Sequence, residues 1–224
     1  MGSREENKLI MEQRIFDAAL DLFCDMGYLK TTLADIAAEA NVSTRTLYKY
    51  FPTKESILRK FGEDNIKALR DFAFDLPQDL PFFDKVLAVM TQDYKMMFCL
   101  FDVSYILHSA HDESGVLQKF ELRNVLSTEA IYRDMLREEQ KRQGVEPNTL
   151  PTLCASVLMG IYRQCTDLYR FLRRGALDPD EVRAYYASHL DVVWGSLMSA
   201  LVSEPTKEQK RILSDGRLFG SDDR

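Results

Sequence analysis

The stretch that decides the fold runs from Thr31 to Lys54 and reads TTLADIAAEANVSTRTLYKYFPTK. Leu33, Ile36, Ala37 and Ala40 recur at i, i+3, i+4 and i+7, the spacing that lines apolar side chains along one face of a helix. Thr32 stands just before that stripe and Asp35 follows three residues later. This is close to the Ser/Thr-x-x-acid pattern in which hydroxyl and carboxylate cap a helix start reciprocally. Asn41-Val42-Ser43 then interrupts the helix, because Asn and Ser side chains bond nearby backbone and favour turns. Ser43 also suits the N-cap of a second helix, expected from Thr44 to about Phe51. Leu47 and Phe51, four apart, can pack inward. Thr44, Arg45, Thr46, Tyr48, Lys49 and Tyr50 are then left largely outward. Pro52 ends the helix, since a proline pushes the residue before it out of the helical region.

Two short helices joined by a tight turn make a helix-turn-helix whose second helix presents donors and aromatics. Residues 41–60 hold Arg45, Lys49, Lys54, Arg59 and Lys60 against Glu55 alone, whereas the whole chain carries a net charge of −6. A cationic patch on an acidic protein needs a reason, and phosphate is the simplest. Lys54 adds to this. It opens the next helix, where the dipole disfavours a cation, and its position makes more sense if it reaches an anion beside the free N–H groups of that helix end.

The run F-x-x-x-G-Y-x-x-T-T-x-x-D-I-A-x-x-A-x-V-S-x-x-T-L-Y-x-Y-F-x-x-K-E-x-I-L, from Phe23 to Leu58, resembles the TetR family of bacterial transcriptional regulators. The resemblance covers roughly the first 60 residues; beyond them the chain carries no matching motif, as is usual where C-terminal domains diverge with their ligands. It implies an all-α protein: an N-terminal three-helix DNA-binding domain, residues 1–60, and a C-terminal helical effector-binding and dimerisation domain, residues 61–224. It also implies a homodimeric regulator, most often a repressor, whose partners are a double-stranded DNA operator and a small-molecule effector. Carried over position by position, Arg45 and Lys49 are the side chains to reach base edges in the major groove, with Thr44 and Thr46 as short-range contacts. Tyr48, Tyr50, Thr31, Thr32, Ser43 and Lys54 are expected on phosphates.

Length and composition agree with that frame. The chain has 224 residues, 46% apolar and 29% charged, the balance of a soluble globular protein. No apolar run approaches the ~20 residues of a membrane span, and the N-terminus lacks a basic-then-apolar leader. A cytoplasmic protein is expected. Cys24, Cys99, Cys154 and Cys165 show no Cys-x-x-Cys spacing, so they read as reduced cysteines rather than a zinc or redox set. Residues 1–60 carry equal numbers of acids and bases, with the excess base towards residue 60, and the net −6 belongs to residues 61–224. Attraction to DNA must therefore come from the local patch.

Along the chain, a first helix is expected over about Lys8–Met26, closed by Gly27. A long one follows over Lys54–Phe74, capped by Thr53, with the domain boundary near its middle, about residue 60. A stiff helix there can transmit a tilt. Further helices are expected from Pro81 to about Leu100, Asp102–Ala110, Val116–Gln143, Thr149–Arg174 and from Asp178 to about Val202, with one more turn or two over Thr206–Leu213. No strand pattern or repeat is present.

Thr149–Arg174 and Pro179–Val202 are apolar over more than one face, as helices buried on both sides are. Gly160, mid-helix, costs about 1 kcal/mol relative to Ala and suggests close approach of another backbone. These helices are expected to form a dimer face through Val157, Gly160, Ile161, Leu168, Val193, Leu197 and Leu201, four helices about a two-fold axis. Tyr94, Phe98, Phe101, Tyr105, Tyr132, Tyr162 and Tyr169 are the candidates for an apolar effector pocket with orienting hydroxyls; each fits a plain core position equally. His108 and His111 lie three apart beside Asp112 and Glu113, but a polar helix end accounts for them and no metal or other cofactor is assigned. Gly-rich phosphate loops, Gly-x-Ser-x-Gly and His-Glu-x-x-His are all missing, which argues against an enzyme. The remaining alternative is a helical interaction module whose C-terminal domain binds a protein partner.

Overall fold

In the computed structural model, residues 31–54 fold as two seven-residue helices and the start of a longer one. The structure describes residues 3–97, 115–145, 150–172 and 178–202. Every regular element among them is a helix: α1 (Ser3–Met26), α2 (Leu33–Glu39), α3 (Thr44–Tyr50), α4 (Lys54–Asp75), α5 (Phe82–Met97), α6 (Val116–Arg142), α7 (Leu150–Leu172) and α8 (Pro179–Val202). The fold is all-α. It divides into two compact units, residues 1–69 with 93–125 and residues 70–92 with 126–224.

The helix-turn-helix is built by its caps. Thr32 accepts from the Asp35 amide at 3.2 Å while the Thr32 amide donates to the Asp35 carboxylate at 2.9 Å, the reciprocal box expected from sequence. At the other end of α2, the Val42 amide donates to Ala37 O and the Asn41 amide to Ala38 O. This is the Schellman closure, which needs its central residue in the left-handed region. Asn41 supplies it at φ 50°, a conformation that Asn tolerates better than most residues. Ser43 then caps α3, its hydroxyl accepting from the Thr46 amide at 3.0 Å. Phe51 closes α3 in extended geometry, because Pro52 bars it from the helix.

The core of the first unit joins α1 to α4. Ile15, Phe16, Ala19 and Phe23 of α1 meet Ile36 and Ala37 of α2, Leu47 of α3, Phe51, and Ile57, Leu58 and Phe61 of α4. Full burial of one such aliphatic or aromatic side chain contributes roughly 1.5–3 kcal/mol. Leu117 of α6 belongs to the same core, with Phe120 packed against it. The crossing of α6 over α4 is close: a Cβ on Gly62 would lie 2.8 Å from Asn124 Oδ1 and 2.9 Å from Phe120 Cε2. α1 begins at Ser3, ahead of the expected Lys8, with Glu5 and Glu6 in its first turn, where acids favour the helix dipole.

In the second unit α7 packs on α8. Val182, Tyr186, Leu190, Leu197 and Leu201 form the inward stripe of α8. Leu197 and Leu201, two of the residues expected at a dimer face, are 6% and 0% exposed within the single chain. The Cys154 thiol approaches Leu197 O at 4.0 Å, and the Gln140 amide donates to Leu201 O at 3.0 Å. Thr166 and Tyr186 share a buried hydroxyl–hydroxyl bond of 2.6 Å. Trp194 packs on Phe82 and Phe83 at ring separations of 5.8 and 5.0 Å. Burial pushes the Cys165 thiol up to about 11 and raises that of Cys154, which leaves both as inert core residues.

The Gly62 crossing is testable. Gly62→Val gains helix propensity, worth less than about 1 kcal/mol, but forces a branched side chain against Phe120 and Asn124. A net loss of about 1–3 kcal/mol is expected. Thermal unfolding followed by circular dichroism reads it as a midpoint lowered by several degrees.

Candidate nucleic-acid interface

The outer face of α3 carries two uncommitted cations one turn apart. Arg45, Tyr48 and Lys49 fall at i, i+3 and i+4 and so share one face. All three are exposed, Tyr48 to 53%. Among the described residues none of the three has a hydrogen-bond or ion-pair partner within the chain. Thr44 lies exposed beside them. Leu47, on the opposite side of α3, is fully buried and holds the helix to the core. Tyr50 is half-buried and packs against that core, so its ring is partly structural.

The other candidates are committed internally to different degrees. Thr31 is withdrawn from the surface: it is 1% exposed and its hydroxyl donates to Gly27 O at 2.9 Å. The Thr32 hydroxyl donates to Asp35 at 2.6 Å. The Asp35 carboxyl is held below its ordinary value by that hydroxyl and by the Thr32 amide. The Ser43 and Thr46 hydroxyls bond each other at 2.8 Å. Thr32, Ser43 and Thr46 thus set the helix starts first, and offer a duplex only what capping leaves over.

The cationic patch seen in sequence is smaller in three dimensions. Lys60 pairs with Asp64 at 2.9 Å and Glu12 at 3.8 Å, and the Asp64 bond raises its pKa. Arg59 lies 4.0 Å from Glu63. Both i,i+4 pairs are legible in the spacing; the Glu12 contact, from α1, is not. Lys54 turns inward. Its ammonium donates to Tyr28 O at 2.6 Å and Thr31 O at 2.9 Å and sits 4.2 Å from the centre of the Tyr28 ring. Burial lowers its pKa. That geometry gives Lys54 a reason to open α4 without any anion. Conversely, Lys30 is an exposed cation in the α1–α2 turn with no partner among the described residues. Nothing in its sequence neighbourhood gives it a role; its exposure does.

Two adjacent short helices, capped at each start and presenting free donors from the second, match a known pattern. Residues 15–61 fit the family model of bacterial regulatory proteins of the tetR family. The N-terminal segment is thus similar to the DNA-binding segment of the tetR family. Over 53 residues it is 49% identical to the HTH-type transcriptional regulator HbdR of Aromatoleum sp., 23% of this chain and 23% of that protein. Over 62 residues it is 39% identical to the biofilm operon icaADBC HTH-type negative transcriptional regulator IcaR of Staphylococcus epidermidis, 28% of this chain and 34% of that one. The likeness thus spans about a quarter to a third of these relatives' own lengths. In structure, the chain is similar to the Bacillus subtilis transcriptional regulator FadR, solved in complex with stearoyl-CoA. The TM-score is 0.61 at 18% identity, over 87% of this chain and 99% of that one. At that identity the likeness is one of fold, and it extends beyond the N-terminal segment.

The effector candidates divide. Tyr94 is buried in the first unit; Tyr132 and Tyr162 are buried in the second, where Tyr162 stacks at a tilt on Tyr186. Phe98, Phe101, Tyr105, His108 and His111 lie outside the described residues, as does the side chain of Tyr169. The second unit holds a cleft of about 790 Å³ lined by α4, α5 and α6, with Phe74, Phe82 and Met135 among its apolar walls. Of the predicted aromatics whose side chains are described, Tyr94, Tyr132 and Tyr162, none lines it. Its charges are satisfied within the unit: Glu139 is held by Arg142 at 2.7 Å, Glu138 by Lys141 at 2.6 Å and Asp134 by Arg70 at 3.0 Å.

Of the expected dimer residues, Val157 and Gly160 are exposed and Ile161 and Val193 half-buried; the Leu168 side chain lies outside the described ones. Val192 is 83% exposed. A Cβ added to Gly160 or Gly195 would meet nothing within 4 Å, so the described part of the chain does not account for either glycine.

The α3 face makes a direct prediction. Lys49→Ala lowers duplex affinity and reduces the magnitude of the slope of log affinity against log salt by about one. Arg45→Ala costs about 1–3 kcal/mol at a base it reads and relaxes preference there. Fluorescence anisotropy across a salt series checks both.

Proposed function

We propose that this chain is a DNA-binding transcriptional regulator of the TetR family, a ligand-responsive repressor that grips a palindromic operator as a homodimer. One observation carries the reading: Arg45, Tyr48 and Lys49 stand exposed and uncommitted on one face of a capped, core-anchored helix, in a chain of net charge −6. Free cations on an acidic molecule are matched by phosphate and by the acceptor-rich edges of bases in the major groove. Lys30 and the N-terminus of α2 add backbone contacts. We assign residues 1–60 to this role and residues 61–224 to dimerisation and effector binding. The similar proteins are named as transcriptional regulators, which favours a regulator over an enzyme or a protein-binding module. IcaR's name as a negative regulator supports repression. Acting on the chromosome places the protein in the cytoplasm, and no described helix is long and apolar enough to cross a membrane.

Pairing two heads requires a self-complementary face. Leu153, Val157 and Gly160 fall along one exposed side of α7, and Val192, Gly195 and Val202 along one exposed side of α8. Each glycine costs its helix about 1 kcal/mol relative to Ala, and a second copy's helix packed close against it supplies the reason. A two-fold dimer then sets two α3 helices about 34 Å apart in successive major grooves. An effector bound to residues 61–224 lowers operator affinity by its preference for a dimer with another head spacing, and by no more than that preference. That FadR was solved with stearoyl-CoA supports a small organic effector.

Selection from a random duplex pool tests the reading. The wild type is expected to enrich a palindrome with half-sites one turn apart; enrichment of no sequence overturns it. Val192→Asp is a surface change for an isolated subunit, so its fold is retained. Sedimentation is expected to show it as a monomer, with operator affinity lost by at least tenfold.

A further inference from the structure

Lys54 is the first residue of α4, yet its side chain reaches back across the first unit to the turn between α1 and α2. Its ammonium donates to Tyr28 O at 2.6 Å and to Thr31 O at 2.9 Å, bridging both ends of a four-residue turn. It also rests 4.2 Å above the Tyr28 ring. That ring is 3% exposed and meets Phe23 of α1 edge-on at 5.1 Å. Thr31 is fixed from the other side, its amide and hydroxyl both bonded to Gly27 O. One cation thus joins α4, the turn and, through Tyr28, α1.

We propose that Lys54 is a positioning residue for duplex binding: it contacts no phosphate and instead fixes the α1–α2 turn relative to α3 and α4. The proposal rests on the DNA-binding reading above and deepens it. The turn carries Lys30 and ends in Thr32, the cap of α2. Those groups sit on the α1–α2 turn and the start of α2, whereas Arg45, Tyr48 and Lys49 sit on α3, a separate element of the head. A duplex is rigid on this length scale, so both sets must be in register together. Bonds from a charged donor to two carbonyls are stronger than neutral ones, and here they hold a loop that has no regular structure of its own.

The assignment separates from a phosphate contact and from a purely structural role. Lys54→Met keeps the stem and the ring contact and removes the charge and both bonds. With wild-type-like circular dichroism, this variant is expected to bind operator duplex about threefold to thirtyfold more weakly. The slope of log affinity against log salt should be unchanged, because the number of neutralised phosphates is unchanged. A slope reduced by about one makes Lys54 a phosphate contact and overturns the proposal. Unchanged affinity makes the tie a matter of stability alone and also overturns it. Reductive methylation of the wild-type protein, read by mass spectrometry, covers the case in which the variant does not fold. Lys30 and Lys49 are expected to react first and Lys54 to lag in free protein; equal reactivity sinks the tie. Wild-type protein with no salt-dependent duplex binding instead removes the DNA reading itself, and the positioning role with it.

Discussion

A seven-residue helix does not stand alone in water, since nucleation costs more than so few hydrogen bonds return. The first unit contains two such helices in succession, α2 and α3, and what they present depends on holding them. Three devices do so. The Thr32–Asp35 box starts α2, the left-handed Asn41 closes it, and the Ser43 hydroxyl starts α3 within the next few residues. The apolar stripe Ile36, Ala37, Leu47 then seats both helices on α1 and α4. Caps fix direction and the core fixes depth, and neither suffices without the other.

The same economy governs charge. An acidic protein that binds a polyanion has to keep its useful cations from its own carboxylates. Lys60 and Arg59 are paired along α4, and Lys54 is turned into the α1–α2 turn. Arg45 and Lys49 escape because α3 offers them no acid at helical spacing: its seven residues are TRTLYKY. The absence of carboxylates on that short helix counts for as much as the presence of its bases.

The helix-turn-helix was readable because its signals are local. Capping boxes, apolar spacing and a proline stop all act within a few residues, so the bounds of α2 and α3 could be taken from letters alone. The side chains of Thr31 and Lys54 were not readable in the same way. Their partners, Gly27 O, Tyr28 O and Thr31 O, are backbone atoms, and a carbonyl leaves no signature in composition. Two residues of the expected dimer face were ambiguous for a different reason. An apolar residue on a helix wanted on two sides can serve either one, and only the rotational phase of α8 against α7 assigns Leu197 and Leu201 to the subunit's own interior.

The Asn41 closure has a consequence for how such a chain can change over time. Only Asn41 and Val42 separate the C-cap of α2 from the N-cap of α3, so one codon inserted between Ala40 and Ser43 breaks the closure bonds of Asn41 and Val42 and turns the outer side of α3 out of register. Letters on that side can be exchanged without disturbing the fold, while the count of letters before it cannot. A change of what α3 recognises is therefore a matter of substitution rather than of insertion between Thr32 and Lys54.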